Sequence, residues 1–396
     1  LVLHYIERRN APVSPKLCYR YDPVLGWSKV PGDEGLFAKP EYKVYERINS
    51  KGLRGPECPY EKPRGEFRIL FVGDSFCEGY AVGYGDHFIT RVQEVLNARR
   101  GGIHYRCING GTGAYSTDQE LLFIRHEGLK YDPDLVILMF YHNDIWANME
   151  DSHGGGHWGK PRFKLKDGRL ILTNVPVPRF DLKWAKRRLV ERNLTTKQWL
   201  NKNSRIYHFV RMSLKRVSWL NALAVKLGLA RPPGQGAKQQ AFLPIPKAFG
   251  VFKAHQSEQT RAAWRITEAL LAEMKVEIER EGHNFAVFYI SYKGAIYRNE
   301  IEAAKRHYGF SDEGLDLDRP GKDLRAACAR LSILLFDARG AFRKEASRLE
   351  KRGKRLYYVH DGHWNVTGNK LGAKLLLEFI NSVALNQRPT KALSGM

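Results

Sequence analysis

Ser75, Asn143 and the pair Asp361 and His363 are the side chains whose types together can make and break an acyl bond. A serine hydroxyl is a weak nucleophile near neutral pH and needs a hydrogen-bonded base. Histidine is mostly neutral at that pH and can take the proton. An aspartate two residues away faces the same side of an extended stretch and can fix the ring's tautomer. An asparagine amide, or backbone N–H groups in a tight glycine-rich turn such as Asn109-Gly-Gly-Thr-Gly-Ala-Tyr115, can meet negative charge developing on an oxygen. Taken singly, each cluster also has a plain structural reading. Ser75 suits a helix N-cap, the glycine-rich stretch an ordinary strand-to-helix loop, Asn143-Asp144 a second cap, and Asp361-Gly-His363 a surface loop.

The elements around these residues place them at one edge of a sheet. Ile69 to Val72 form a short apolar run of the length and type of a buried parallel strand, and Ser75 follows it directly. Arg106-Cys-Ile leads into the glycine-rich turn, and Leu121, Leu122 and Ile124 then give a helical pattern. Leu135 to Tyr141 is a further apolar run ending just before Asn143. Downstream, Ala263, Ile266, Leu270, Met274 and Ile278 make a helical stripe over 258–281, closed by Glu281-Gly-His-Asn284. Phe285 to Ile290 is the next buried strand, Leu331 to Phe336 another, and helices are expected over 339–349 and 367–379. Alternating strands and helices predict a parallel sheet covered on both faces. Open sheets of that kind bind ligands at the carboxyl ends of their strands, where Ser75 and Asn143 stand.

Residues 66–146 and 355–380 resemble the SGNH (GDSL-type) hydrolase superfamily, named for a serine, a glycine, an asparagine and a histidine in four sequence blocks. The resemblance implies a flavodoxin-like three-layer α/β/α sandwich. It also implies that Ser75 is the nucleophile, His363 the general base, Asp361 the residue that orients it, and Asn143 a side-chain oxyanion donor beside the Ser75 N–H. In the register set by Asn109 and Tyr115, the oxyanion glycine falls on Ala114, with Gly113 one residue early, so either backbone N–H is a candidate donor. Two other departures stand out. His142 occupies the position that is often glycine before the Asn-Asp pair, and the last block is Asp-X-His, a spacing also seen in bacterial polysaccharide-modifying members. Cys77 stands where the second glycine of a Gly-X-Ser-X-Gly elbow would be, so this is a different solution from that of the α/β-hydrolases.

The implied activity is that of a serine esterase acting on an acylated carbohydrate. The same triad can serve a polysaccharide O-acyltransferase, and a non-catalytic glycan-binding module could keep the fold. A nucleotide binder is disfavoured, because no phosphate-cradling glycine-rich loop with a lysine follows the first strand. No cofactor or metal is implied. Tyr115, Tyr141, Trp146 and Trp364 flank the blocks, either as a platform for a sugar ring or as ordinary packing.

With 43% hydrophobic residues the chain can bury a substantial core. Its formal net charge of +23 favours anionic surfaces, acidic polysaccharide or lipid headgroups, over nucleic acid, for which no motif stands out. The catalytic domain is expected over 66–150 and 254–385, with a loop-rich flank over 1–65, a basic helical insertion over 151–253 and a tail over 386–396. Within the insertion, 180–230 interleave Lys and Arg with Trp184, Trp199, Tyr207 and Trp219, which reads either as a solvated face or as a basic lid for an anionic surface. Ser152-His-Gly-Gly-Gly-His-Trp158 reads as a flexible loop, and 231–237 as a linker. Of the five cysteines, Cys18 and Cys58 could pair in an oxidising compartment, while Cys77 and Cys107 suit packing near the sheet. No segment reaches the roughly 18 apolar residues of a membrane span. The opening Leu1-Val-Leu-His-Tyr-Ile reads as the end of a trimmed anchor or as an arbitrary start, and the resemblance implies an extracytoplasmic setting.

Overall fold

A computed structural model describes residues 19–99, 102–153, 158–179, 247–308 and 314–386. In chain order the elements begin with two antiparallel hairpins, β1 (Tyr19–Asp22) with β2 (Gly26–Lys29), and β3 (Glu34–Lys39) with β4 (Tyr42–Arg47). Then follow β5 (Glu66–Gly73), α1 (Ser75–Glu78), α2 (Phe88–Asn97), β6 (His104–Asn109), α3 (Thr117–His126), β7 (Leu135–Tyr141) and α4 (Asn143–Ala147). Short antiparallel pieces β8 (Ser152–His153), β9 (Trp158–Gly159), β10 (Arg162–Lys166) and β11 (Arg169–Thr173) come next. The last of the described elements are α5 (Glu258–Arg280), β12 (Asn284–Ile290), α6 (Lys293–Ile296), α7 (Arg298–Tyr308), α8 (Arg319–Arg330), β13 (Leu334–Asp337), α9 (Arg339–Glu350) and α10 (Val366–Asn386).

The central sheet has five parallel strands in the order β13-β12-β7-β5-β6. Counted from β6, this is the 2-1-3-4-5 order of flavodoxin-like folds, and the protein is a three-layer α/β/α sandwich. Each strand feeds both layers because successive side chains alternate faces. Leu70 and Val72 of β5, with Val136 and Leu138 of β7, pack under α3, α5 and α8. Ile69 and Phe71, with Ile137 and Met139, pack under α2, α9 and α10. These residues are essentially inaccessible to solvent, which is why the strands read as continuous apolar runs.

The last strand is shorter and later than Leu331–Phe336 suggested. Helix α8 runs to Arg330, and Ser332, at φ +52°, turns the chain before β13 begins at Leu334. The N-terminal flank differs more. It is built on hairpins rather than dominated by loops, and β4 shows why: Tyr42, Val44 and Glu46 are buried while Lys43, Tyr45 and Arg47 are exposed, a period of two hidden among Pro, Gly and aromatic residues. Residues 158–173 of the expected helical insertion are likewise hairpin, whereas the basic stretch 180–230 and the linker 231–237 lie outside the described residues. So do positions 154–157 of the glycine-histidine run and Cys18; Cys58 is buried and free. Among the described residues, no helix is long and apolar enough to cross a membrane.

Candidate active site

Ser75 is the first residue of α1, immediately beyond the carboxyl end of β5. Asp74 caps this helix, its Oδ1 accepting the Phe76 N–H at 2.8 Å. The first N–H groups of a helix have no intrahelical partner, and the cap takes only that of Phe76, so the Ser75 N–H stays available to a ligand. Asn143 opens α4, just past the neighbouring strand β7. Its Nδ2 donates to Asp74 Oδ2 at 3.3 Å, which ties the amide to the turn that carries Ser75.

His363 reaches the same point from 288 residues away, with Nε2 at 2.8 Å from Ser75 Oγ. Its Nδ1 contacts Asp361 Oδ1, and its backbone N–H donates to the same oxygen at 3.0 Å. Burial alone would raise the Asp361 carboxyl. The hydrogen bonds and charge of His363, with Lys39 and Tyr42, outweigh it and hold the carboxyl well below the usual carboxylate range. A carboxylate can only accept, so Nδ1 carries the ring proton and Nε2 is left free to accept from the Ser75 hydroxyl. The imidazole packs against the Phe76 ring, with centroids 4.7 Å apart, and Tyr80 Oη lies 3.2 Å from Nδ1.

The glycine-rich loop after β6 is pressed against α1. A Cβ on Gly111 would lie 2.3 Å from the Glu78 backbone nitrogen, and one on Gly113 would lie 2.8 Å from both Glu78 Oε2 and Tyr19 Oη. Gly113 is thus set by close approach, and its carbonyl accepts the Trp27 indole N–H at 3.0 Å. Ala114, where the sequence resemblance expects glycine, has φ +63°, the left-handed conformation that glycine adopts most easily. The residue type differs while the backbone shape is the glycine-like one. Side chains of the N-terminal flank hold both loops. Lys29 Nζ donates to the Gly111 carbonyl and to Thr112 Oγ1, and Arg54 donates to the Glu78, Gly79 and Val82 carbonyls.

Asp74, Glu120 and Asp144 form a group of buried carboxyls around the Asn143 turn. Burial pushes Asp74 up to about 6, against the pull of the Phe76 N–H, His363 and the Asn143 amide. Burial also raises Asp144 and Glu120 well above their ordinary range. His142 is buried against Tyr141, Phe252 and Tyr292, and burial pushes it down to about 3, so its ring is neutral. Tyr115, Trp146 and Trp364 are buried, which gives them the packing role rather than that of a sugar platform; Tyr141 is partly exposed. Among the described residues no group of His, Cys, Asp and Glu could hold a metal ion. Lys39, Glu41, Tyr42 and Tyr80 also converge here, and none was singled out in the sequence. The one available signal was the alternation in β4, which marks Tyr42 as inward-facing.

No protein-family model matches the chain, and a search of curated proteins returns no match. Among solved structures it is similar to an acetyl xylan esterase, AlAXEase, at 14% identity and TM-score 0.40, over 79% of this chain and 100% of that one. It is also similar to a catalytic mutant of Axe2, an acetylxylan esterase from Geobacillus stearothermophilus, at 13% identity and TM-score 0.39, over 79% of this chain and 94% of that one. A third is LAE5, an alpha/beta hydrolase enzyme from the metagenome of Lake Arreo, Spain, at 13% identity and TM-score 0.38, over 81% and 96% of the two chains.

Proposed function

We propose that this protein is a serine-dependent acyl-ester hydrolase of the SGNH type that removes a small acyl group from a carbohydrate. The observation that carries this reading is the unbroken chain from Ser75 Oγ through the His363 ring to Asp361, at the carboxyl edge of a parallel sheet. Such a chain is the arrangement that activates a serine for acyl transfer.

In this reading Ser75 Oγ attacks the acyl carbonyl while His363 Nε2 takes its proton. The tetrahedral oxyanion is met by the Ser75 N–H, the Asn143 amide and the N–H of Ala114 or Gly113. Collapse breaks the ester C–O bond. The alcohol leaves with the proton from His363, and the acyl group remains on Ser75. Water then attacks the acyl-serine with His363 again as base, releasing the acid and restoring the hydroxyl. The Asn143→Ala variant is expected to keep the fold and lose about 10²–10³ in kcat, the usual loss for one oxyanion donor. A loss smaller than about fivefold, read with a short-chain aryl ester, would remove Asn143 from that role.

A polysaccharide O-acyltransferase shares every step up to the acyl-serine and differs in whether a sugar hydroxyl outcompetes water. The experiment supplies an acyl donor with a panel of neutral and acidic glycans and follows products by mass spectrometry. Free acid as the main product, lost in Ser75→Ala, supports the esterase. Acylated glycan forming faster than acid supports the transferase. Glycan binding with neither product leaves the non-catalytic module. The net charge of +23 suits an anionic polysaccharide or membrane surface. An extracytoplasmic setting, implied by the resemblance alone, belongs to the proposal as well.

A further inference from the structure

The Asp-X-His loop is a turn closed by the Tyr358 N–H donating to the His363 carbonyl at 3.1 Å and by the Tyr357–Trp364 bridge, but these contacts leave the Asp361 side chain to be held from elsewhere. Val359 and His360 are exposed, Gly362 has no Cβ contact within reach, and the segment from Tyr358 to Trp364 belongs to no helix. Lys293 Nζ and the Ala81 carbonyl brace Val359 and Tyr358, while the side chains that reach Asp361 come from more than 300 residues upstream, from the β3–β4 hairpin.

Three hairpin residues grip the loop in different ways. The Glu41 carboxylate accepts three consecutive backbone N–H groups, those of Val359, His360 and Asp361, at 2.6, 2.9 and 2.9 Å. A carboxylate in a row of backbone N–H donors makes charge-assisted bonds, about twice as strong as neutral ones. Lys39 Nζ and Tyr42 Oη then converge on a single atom, Asp361 Oδ2, at 2.7 and 2.9 Å. They engage one carboxylate oxygen, and the other is left for the His363 Nδ1 and backbone N–H. The rings of the same hairpin complete the wall. Phe37 lies 4.4 Å from Tyr80, between centroids, and Tyr42 lies 4.9 Å from Tyr358, while the Lys39 ammonium sits 5.6–5.9 Å from the Phe37, Tyr42 and Tyr80 rings.

We propose that the β3–β4 hairpin is part of the catalytic apparatus, with Lys39, Glu41 and Tyr42 as positioning residues that fix Asp361 and, through it, the His363 ring. The inference rests on the acyl-transfer reading of the site but concerns how its base is held. Two oxygens with fixed and separate partners leave the carboxylate no freedom to rotate. Histidine orientation therefore depends on a segment outside the sheet, and the flank is a working wall of the site rather than a cap on it.

The test uses the full chain with Lys39→Met, Tyr42→Phe, Glu41→Gln and Glu41→Ala, with Lys39→Arg as the conservative variant and Lys43→Ala as an exposed control on the same strand. Each lost hydrogen bond to the carboxylate is expected to cost about tenfold in kcat, and Lys39→Met with Tyr42→Phe about a hundredfold, with KM changed less than about twofold. Lys39→Arg and Lys43→Ala retain near-wild-type kcat, and Glu41→Gln retains more than Glu41→Ala. A second readout needs no turnover: the low-field proton resonance of the His363 Nδ1–H, recorded in a Ser75→Ala background. It is expected to broaden or move upfield in the double variant and in Glu41→Ala, with the melting temperature within a few degrees of the parent. An unchanged resonance, with kcat within about twofold of wild type, overturns the proposal. So does activity lost only in step with melting temperature. If the wild-type protein cleaves no ester, the esterase reading falls, while the resonance still decides the positioning role.

Discussion

Ser75→Ala and His363→Ala should each abolish hydrolysis of a short-chain aryl ester, with kcat falling on the order of 10⁶, as when nucleophile or base is removed from a known serine triad. The two losses should not add, because either residue alone leaves the other without a partner for the proton it must pass. Folding should be nearly untouched. The Ser75 side chain makes one bond, to His363, and the α1 cap belongs to Asp74. The His363 side chain is about one-fifth exposed, and its ring lies against Phe76 rather than inside the core. Thermal unfolding and ester turnover, measured on the same preparations, check both halves. Either variant keeping more than a tenth of wild-type kcat would end the nucleophile–base assignment. A fluorophosphonate that labels a serine other than Ser75 would do the same.

Asp361→Asn carries the second largest expected effect, a loss of about 10⁴ in kcat with the fold retained, by analogy with the same change in a known triad. The reason lies at Nδ1. The amide can turn its N–H₂ toward the ring, which favours the tautomer with the proton on Nε2, where it cannot accept from Ser75. Lys39 loses its counter-charge, but its side chain is 44% exposed and can turn to water, so the folding cost is small. The pH dependence has a definite sign. Asp361 is depressed in the folded protein, so the stability it contributes is fully present above the ordinary carboxylate pKa of about 3.9. It is lost only as pH falls from there through the still lower folded value. The carboxylate stays ionised above about pH 5, and the part of the acid transition that belongs to Asp361 should appear only below about pH 4 and be missing in Asp361→Asn. Acid transitions with the same midpoint in wild type and Asp361→Asn would show that Asp361 is not held as described.

The sandwich was legible because its strands are buried on both faces. Ile69–Val72, Leu135–Tyr141 and Phe285–Ile290 are continuous apolar runs too short for a buried helix and rich in β-branched and aromatic residues, the pattern of a strand covered on both faces. The helix over 258–281 was legible for a similar reason, its stripe repeating at helical spacing and its end marked by Gly282 at φ +84°. Where one face of a strand meets solvent, local composition misled. The Pro, Gly and aromatic residues of the N-terminal flank suggested loops, yet Tyr42, Val44 and Glu46 turn inward in strict alternation. The Trp146 and Trp364 side chains invited a role in sugar stacking that their burial removes.

The amino-acid sequence by itself determined the layers of this protein and brought Ser75 and Asn143 to the same sheet edge. Hydrophobic period is a local property, and a residue just past a buried parallel strand stands at the sheet's carboxyl edge. It also named the Asp361 and His363 pair by type and spacing. Only the tertiary structure decided what stands around that pair. Lys39 and Tyr42 meet Asp361 across separations of 322 and 319 residues, and Glu41 meets the three N–H groups beside it across similar lengths. Ala114 takes a glycine-like φ because its loop is pinned between Trp27, Lys29 and α1. Neither fact has a signature in neighbouring residues. A lysine, a glutamate and a tyrosine on a hairpin are ordinary surface types until packing sets them within hydrogen-bonding distance of a carboxylate, and the geometry of that approach is a property of the whole fold.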